Sequence, residues 1–488
     1  MPNMEPEDSS NSETPTEQPD TPGQQIPPVA STEALTRWQQ ARASIWPDWI
    51  TRNMGLLLAA RTFMSAARAF AGIMVPIYLA LIGYSGLTLG ILFTVVALTS
   101  AVLSSAIGLL SDRLGRKFFI VVLPWFAAAA ALVFAFSHAA ALIFVFAALG
   151  SFGRGSGAGA GMVGPYQPAE QALLADTVPA RHRNSLFGRV AFASSLGALI
   201  GTGPLTALPT ILGWLGAPVQ QGLASYRLSF LIMAGIALIA GLLALPIIEP
   251  ARPPRAAPEG RPRPKTGSRS GWFRLSLSQQ SWFVLLRIWV TNSMNGLAVG
   301  FFGPFITYWF FRRYGAGPEM VGLLFSVINL VAMAGNLGAA RFAARLGLVR
   351  AITVSRTLQA VLIIPMVLAP NFWLAGAVYL LRMLAQRVGL PLRQSYVLGV
   401  VRPEERGTVG ALSNLPAQIT SSASPTLAGY LFDHVSLSLP FEIGAILQGI
   451  NSLIFYVFFR NLQPPEEQEK AQRAKDAAHE PEKTVLQK

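Results

Sequence analysis

Long apolar stretches alternate with short polar connections along most of this chain. A transmembrane helix needs about 20 mainly apolar residues to cross the hydrocarbon core of a bilayer, which is about 30 Å thick. Twelve stretches meet this requirement and predict an all-α membrane protein with twelve transmembrane helices. The predicted spans are residues 55–83, 86–110, 118–137, 140–174, 187–213, 227–249, 282–311, 320–341, 351–369, 372–400, 408–432 and 439–459. The fourth and the tenth are longer than a bilayer requires, so we expect them to tilt or to extend beyond it.

A segment rich in arginine and proline, residues 251–280, separates the sixth span from the seventh. Its composition is typical of a linker. The sequence therefore predicts an N-terminal six-helix bundle over residues 52–250, a basic linker on the cytoplasmic side, and a C-terminal six-helix bundle over residues 281–461.

Short motifs recur in the same order in the two predicted bundles. The matched pairs are Gly72-x-x-x-Pro76 with Gly300-x-x-x-Pro304, Gly90-Ile91-Leu92-Phe93 with Gly322-Leu323-Leu324-Phe325, Arg113-Leu114-Gly115 with Arg345-Leu346-Gly347, and Pro168-x-Glu170-Gln171 with Pro391-x-Arg393-Gln394. The copies differ at one notable position: the second copy has Ala344 where the first has Asp112. Matches in register indicate that the bundles are pseudo-repeats, an arrangement found in membrane transporters.

The two ends of the chain are polar and are predicted to be disordered. Residues 1–51 begin with an acidic, proline-rich tail, and residues 462–488 form the other tail. Apolar residues recur at helical spacing just before the first span, at Trp38, Ala41, Ile45 and Trp49. Two interpretations are open for this segment, an interfacial amphipathic helix and a juxtamembrane linker whose tryptophans lie at headgroup depth.

The chain is 52% hydrophobic and only 13% charged, whereas soluble domains carry about 25% charged residues. The deficit indicates that much of the surface meets lipid. A net charge of +14 is compatible with nucleic-acid binding. However, the basic residues lie mostly in the connections between spans, which is the positive-inside pattern of membrane proteins. We therefore expect a lipid bilayer, and no nucleic acid, among the partners.

Positive charge is concentrated in alternate connections. The connections after the second, fourth, sixth, eighth and tenth spans are basic, and those after the first, third, ninth and eleventh contain no lysine or arginine. The connection that holds Arg312 and Arg313 is an exception. The positive-inside rule predicts a multi-pass protein of the cytoplasmic membrane with both termini in the cytoplasm.

A reporter protein fused after Gly267, in the basic linker, tests this orientation. We expect a reporter that needs the cytoplasm to be active there, because seven arginine and lysine residues of the linker oppose its export. Activity of an export-dependent reporter at the same position would contradict the predicted orientation.

A dense cluster of charge follows the second span, in residues 108–117, with the pattern G-x-x-x-D-R-x-G-R-K. Such charge between two apolar spans is costly near lipid unless a buried network needs it. Asp112 could accept hydrogen bonds from the N-terminus of a neighbouring helix, where the helix dipole favours an anion. The pattern resembles the signature loop of major facilitator superfamily (MFS) transporters. The alternative role is topological, with arginine and lysine holding the connection inside.

The resemblance implies that this connection belongs to a conformational switch. The residues it assigns to the switch are Gly108, Asp112, Arg113, Gly115 and Arg116, with Asp176 at the end of the fourth span as the carboxylate facing the arginines. Residues 149–159, which place Arg154 among alternate glycines, resemble a second motif of the family, in which an arginine often takes part in coupling. Gly203-Pro204 in the fifth span resembles part of an exporter motif, although a packing kink explains it equally well.

Ionisable residues deep in a membrane are functional candidates by default. The candidate substrate-binding residues are Arg68, Arg154, Arg382, Asn292 and Asn295, which lie in spans that line the central cavity of the family. The alternative for the arginines is internal pairing with a carboxylate or a carbonyl. Three other arginines lie near span ends and are expected to reach the membrane surface, namely Arg61, Arg287 and Arg356.

Glu170 is the one carboxylate placed well inside a predicted span. It is therefore the candidate proton-coupling residue, with its pseudo-symmetric counterpart Arg393 as a possible partner. The excess of buried positive charge favours an anionic solute, or the exchange of one anion for another.

Enzyme functions find no support in the sequence. The chain has no cysteine and only four scattered histidines, so we expect no enzyme activity, catalytic residue, metal site or cofactor. The sequence predicts a secondary active transporter that moves a small organic anion by alternating access. Proton-coupled efflux of amphipathic compounds is one alternative. A sensor that kept the fold without transporting is another.

Overall fold

The computed structural model describes residues 50–137, 139–151, 169–170, 173–174, 183–214, 223–249, 278–335, 345–401, 405, 409 and 412–462. These residues are almost entirely helical, and no strand occurs among them. The predicted all-α class is confirmed. Nearly all of the two predicted tails and of the predicted basic linker lies outside this part of the chain.

The helices follow the predicted spans in order. They are α1 (Arg52–Leu81), α2 (Gly86–Leu114), α3 (Arg116–Phe136), α4 (Ala140–Gly150), α5 (Arg183–Thr202), α6 (Pro204–Trp214), α7 (Leu223–Ala244), α8 (Gln279–Phe302), α9 (Ile306–Tyr314), α10 (Pro318–Gly335), α11 (Leu348–Val361), α12 (Ile363–Leu368), α13 (Phe372–Val400), α14 (Leu415–His434) and α15 (Leu439–Phe459). The tenth and twelfth predicted spans coincide with α13 and α15.

Three predicted spans are broken into two helices, and each break lies within three residues of a proline. The fifth span divides at Gly203 before Pro204, the seventh around Pro304, and the ninth at Leu362 before Pro365. Proline has no backbone N–H and its ring clashes with the preceding turn, so it interrupts the hydrogen bonds of a helix. Apolar length alone did not reveal these breaks.

The fourth predicted span is not one continuous helix. α4 ends at Gly150, and Ser151 follows with a φ of 56°, in the left-handed region. Helical backbone is seen again at residues 169–170 and 173–174. The expected single helix over residues 140–174 is therefore wrong, because the left-handed Ser151 ends its first part.

Seven helical segments in the described part are long and apolar enough to cross a membrane. They are Arg52–Leu81, Gly86–Ile107, Arg116–Phe136, Gly188–Leu208, Tyr226–Ala244, Leu348–Leu368 and Leu439–Phe459. Two shorter apolar helices, Ala140–Gly150 and Pro318–Val331, fall at the fourth and eighth predicted spans. The helix order fits two six-helix repeats.

Within the first repeat, α1 is central and packs against α5 and α7. Glycines make the first of these contacts close, because a Cβ at Gly197 or Gly201 would overlap the backbone of Thr62 or Ala66. Small residues at helix interfaces allow such approach in membrane proteins. In the second repeat α8 packs against α14 and α15, and α11 against α13 and α15.

Candidate functional site

The two repeats meet along α2 and α14, and along α5 and α10. We call the side that carries residues 82–85 and 435–438 the outer side, following the predicted orientation, and the opposite side the inner side. Gly90 on α2 lies so close to α14 that an added Cβ would overlap the carbonyl oxygen of Pro425. Gly322 on α10 lies equally close to the carbonyl oxygen of Thr202. Both glycines belong to one matched motif of the repeats.

Polar contacts strengthen this closure on the outer side. The hydroxyls of Thr94 and Thr426 are 2.8 Å apart, and those of Thr202 and Ser326 are 3.0 Å apart. All four residues lie in the outer halves of their helices, within the zone where the glycines bring the repeats together.

Asp433, near the end of α14, closes the outer edge of the same contact. Its carboxylate accepts hydrogen bonds from the backbone N–H groups of Gly86 at 2.8 Å and Leu87 at 2.7 Å, at the first turn of α2. The helix dipole favours an anion at this position. We call this contact the outer clamp. No sequence motif marks Asp433, because the contact joins positions far apart in the chain.

The contact faces of α2 and α14 carry exposed apolar residues toward the inner side. On α2, Leu98 lies on the same face as Thr94 and is 48% exposed. On α14, Ile419 and Leu415 share a face with Thr426 and are 67% and 41% exposed. The repeats are therefore in contact at the outer side, and these three apolar side chains are left uncovered toward the inner side.

The predicted charged loop after the second span is mostly helical, which corrects the sequence prediction. α2 continues to Leu114, α3 begins at Arg116, and Gly115 alone lies between them. Gly115 has a φ of 93°, and its counterpart Gly347 in the second repeat has a φ of 78°. Glycine adopts this region without the steric cost that other residues meet, so both repeats turn a tight corner here.

Glu249, just beyond α7, caps this corner. Its carboxylate oxygens accept hydrogen bonds from the backbone N–H of Arg116 at 3.1 and 3.3 Å and of Lys117 at 3.4 Å. The sequence predicts Asp176 as the facing carboxylate. Asp176 and the side chains of Asp112 and Arg113 lie outside the described part of the chain, as do the surroundings of Gly108, so their role in a switch stays a prediction.

Glu170 forms a buried ion pair with Arg61 of α1. Arg61 Nε also donates a hydrogen bond of 2.7 Å to the hydroxyl of Ser194 on α5. Arg68, two turns further along α1, interacts electrostatically with the same carboxylate. The proposed pairing of Glu170 with Arg393 is therefore wrong, because a nearer arginine of the first repeat takes the carboxylate.

Arg61 and Arg356 do not reach the membrane surface as expected, since they are only 6% and 5% exposed. Neighbouring helices cover them, which distance from a span end does not reveal. A signal for Arg61 was available: it lies seven residues before Arg68, on the same helical face, and Arg68 was identified as buried.

The sequence-predicted substrate residues are not gathered at one point. Arg382 is buried over the ring of Phe302, with 3.9 Å between its guanidinium carbon and the ring centroid. Arg68 lies in the first repeat near Glu170, and Asn292 is buried in the second. Arg154 lies outside the described residues.

Arg393 belongs to a hydrogen-bonded group on the inner side of the second repeat. It donates to the side-chain oxygens of Asn292 at 3.1 Å and Asn414 at 3.4 Å. Asn292 Nδ2 donates in turn to the carbonyl oxygen of Ser413 at 2.6 Å. Arg393 also lines a cavity of about 60 Å³, together with Asn295 and Arg356. Of the predicted substrate residues that the structure describes, Asn295 is the one that lines this cavity.

In the described part of the chain, no group of three or more histidine, cysteine, aspartate or glutamate side chains is placed to hold a metal ion.

The sequence matches the Major Facilitator Superfamily over residues 57–293 and 288–487. It is 22% identical over 386 residues to the quinolone resistance protein NorA of Staphylococcus aureus (strain MSSA476), covering 77% of this chain and 89% of that protein. It is 21% identical over 377 residues to the multidrug resistance protein MdtG of Proteus mirabilis (strain HI4320), covering 77% and 86%.

A solved structure with a similar fold is a bacterial homologue of the human lysosomal transporter Spinster, in an inward-facing and unoccupied conformation. It superposes with a TM-score of 0.61 and 13% sequence identity, over 85% of this chain and 98% of that chain. This likeness supports the two-repeat fold.

Proposed function

The chain belongs to the major facilitator superfamily and is a multi-pass membrane transporter, and we propose that it carries a small organic anion by alternating access. The main support for an anionic substrate is the excess of positive over negative charge in the second repeat. Residues 320–403 contain no aspartate or glutamate, yet Arg356 and Arg382 are buried within them. A buried charge needs a partner, and an anionic solute supplies one.

The closure on the outer side supports alternating access. Transporters built from repeats move their solute when one repeat rocks against the other around a site near the midplane. Here the repeats touch through Gly90, Gly322 and the outer clamp, while the faces of α2 and α14 are exposed toward the inner side. This arrangement suits one of the two states of such a cycle, with the solute site reached from the inner side.

The buried pair of Glu170 and Arg61 supports coupling to protons. Protonation of Glu170 would neutralise the carboxylate and weaken its pair with Arg61, which would loosen the contact between α1 and the segment that carries Glu170. A proton could thereby change the relative stability of the two states. The uptake or release of one proton per solute is the coupling that we propose.

A second candidate is the efflux of amphipathic compounds, and the relatives favour it. NorA and MdtG are named for resistance to quinolones and to multiple drugs. Efflux of amphipathic compounds that carry an acidic group would agree with both the relatives and the charge of the second repeat.

Flux through the purified protein in liposomes tests these candidates. We expect a labelled organic anion such as benzoate to move faster than through protein-free liposomes, and a pH gradient to drive it. Matched liposomes loaded with a cationic dye show whether the transporter selects charge. Flux of the cation alone would contradict the organic-anion proposal. Tight binding with no flux of either compound would favour the sensor.

A further inference from the structure

A polar cavity lies inside the second repeat, between α8, α11, α13 and α15. Its polar lining consists of Asn295, Arg356, Gln359, Gln386, Arg393 and Gln448. None of the described lining residues is acidic. With about 60 Å³ it has room for a small anionic group or a few water molecules, but not for a whole drug-sized molecule.

The two arginines of this cavity meet neutral groups. Arg356 donates to the side-chain oxygen of Asn451 at 3.1 Å, and its guanidinium lies 4.7 Å from the centre of the Phe455 ring. Arg393 donates to the amide oxygens of Asn292 and Asn414. Amides and aromatic rings stabilise a guanidinium but do not neutralise it, so the described lining of the cavity carries an excess of positive charge.

The arginines also keep donors for a ligand. A guanidinium has five N–H donors, and the hydrogen bonds described above use one on Arg356 and two on Arg393. Two further contacts hold this arrangement in place. Asn292, which accepts from Arg393, donates to the carbonyl oxygen of Ser413 at 2.6 Å, and the lining residue Gln359 donates to the carbonyl oxygen of Ser355 at 3.1 Å. The cavity is thus preorganised around two cationic groups.

Both arginines lie toward the inner side. Arg356 is about eight residues, or about 12 Å, from the start of α11, and Arg393 is at a similar distance from the end of α13. In this outer-closed conformation the cavity is therefore on the side from which the solute site is reached.

We propose that this cavity binds the anionic group of the solute, a carboxylate or a phosphate, through Arg356 and Arg393. Guanidinium groups match the geometry of both anions with paired hydrogen bonds, and the neighbouring amides orient the remaining oxygens. This inference rests on the proposed function, and it moves the anion site from the deep arginines Arg68 and Arg382 to the inner part of the second repeat.

Binding to the full-length protein in detergent tests the site independently of transport. The probes are benzoate, its neutral analogue benzamide, and inorganic phosphate, measured by calorimetry and by thermal stabilisation. We expect benzoate to bind and benzamide not to bind. Arg356→Gln and Arg393→Gln should each weaken benzoate binding about tenfold or more, because each removes charge-assisted hydrogen bonds.

Arg350→Gln is the matched control, since Arg350 lies on the same helix as Arg356 but is exposed, and its replacement removes the same charge. Its affinity for benzoate should equal that of the unmodified protein. Gln386→Glu is a second variant, which tests the site even if the arginine variants do not fold. It places a carboxylate in the cavity beside the arginines, so we expect it to abolish benzoate binding without lowering thermal stability.

Unchanged benzoate affinity in Arg356→Gln, Arg393→Gln and Gln386→Glu would overturn the inference. A lipid headgroup is a second source of the same chemistry, so the binding assay is repeated in nanodiscs with phosphatidylglycerol and with phosphatidylcholine. If benzoate binds in phosphatidylcholine nanodiscs but not in phosphatidylglycerol nanodiscs, the cavity binds a lipid headgroup, and the proposed solute site is overturned. Benzoate binding without flux would instead contradict the transport function and leave the site standing.

Discussion

Replacement of Glu170 by glutamine is expected to lower the free energy of unfolding by about 3–5 kcal/mol, the cost of breaking a buried ion pair by removing one partner. The carboxylate is 3% exposed and pairs with Arg61, which is 6% exposed. Without the carboxylate, the positive charges of Arg61 and Arg68 stay in the protein interior with less compensation. Thermal and chemical unfolding in detergent measure the effect.

Two comparisons make this experiment specific. The double variant Glu170→Gln with Arg61→Gln should recover most of the loss, because it removes both charges of the pair. Glu442→Gln is the matched control, since that carboxylate is exposed at the first turn of α15, and its effect should stay within about 0.5 kcal/mol. A Glu170→Gln variant as stable as the control would show that the pair does not stabilise the fold.

The same variant tests coupling. Glutamine resembles a protonated glutamate in shape and charge, so we expect transport by the Glu170→Gln protein to lose its dependence on a pH gradient. The measurement is solute flux in liposomes with and without the gradient. A purely structural role for Glu170 would lower the amount of active protein and leave the gradient dependence of the remainder unchanged. That result would contradict the proposed coupling site.

Replacement of Gly90 by alanine is expected to reduce transport about tenfold or more, because a single Cβ fits poorly between α2 and the backbone at Pro425. Overpacking of this kind costs about 1–3 kcal/mol, and each 1.4 kcal/mol changes an equilibrium about tenfold. The penalty applies to the outer-closed conformation alone, since a state in which α2 and α14 separate has room for the methyl group. The cycle must pass through both states, so flux falls.

The absence of cysteine from the sequence makes the population shift measurable. A single cysteine at Thr426, which faces Thr94 across the closure, should react with a membrane-impermeant thiol reagent faster in the Gly90→Ala background. Gly235→Ala is the matched control, because an added Cβ there meets no atom within 4 Å. Equal labelling and equal flux in the two alanine variants would show that the closure at Gly90 does not control the conformation.

The positions of the helices were largely predictable from the chain, because the bilayer imposes a fixed apolar length. Prolines set the limits of this prediction. Pro204, Pro304 and Pro365 break spans that apolar length showed as continuous, and the left-handed Ser151 divides the fourth. The repeated motifs also mark structural contacts, because Gly90 and Gly322, matched from sequence alone, both lie where the backbones of the two repeats approach closely.

The candidate site was predicted less well, and Arg61 and Glu170 show why. The sequence marks Glu170 as a rare buried carboxylate, but several arginines were available as partners. Symmetry between the repeats favoured Arg393, whereas the fold brings Arg61 to the carboxylate. Arg356 was expected at the membrane surface because of its distance from a helix end. Burial depends instead on which helix covers that face.

Composition, apolar periodicity and motif order by themselves determined that the chain is helical, that it spans a membrane and that it consists of two related halves. These properties follow from local chemistry, since each span must satisfy its own backbone hydrogen bonds in lipid. The tertiary structure alone decided which charges pair, which cations gather around a cavity, and that Asp433 holds the N-terminus of α2. The ion pair joins residues 109 positions apart, and the contact of Asp433 with Gly86 joins residues 347 positions apart. The energy of such contacts depends on distances of a few ångströms, which helix packing sets and no local pattern encodes.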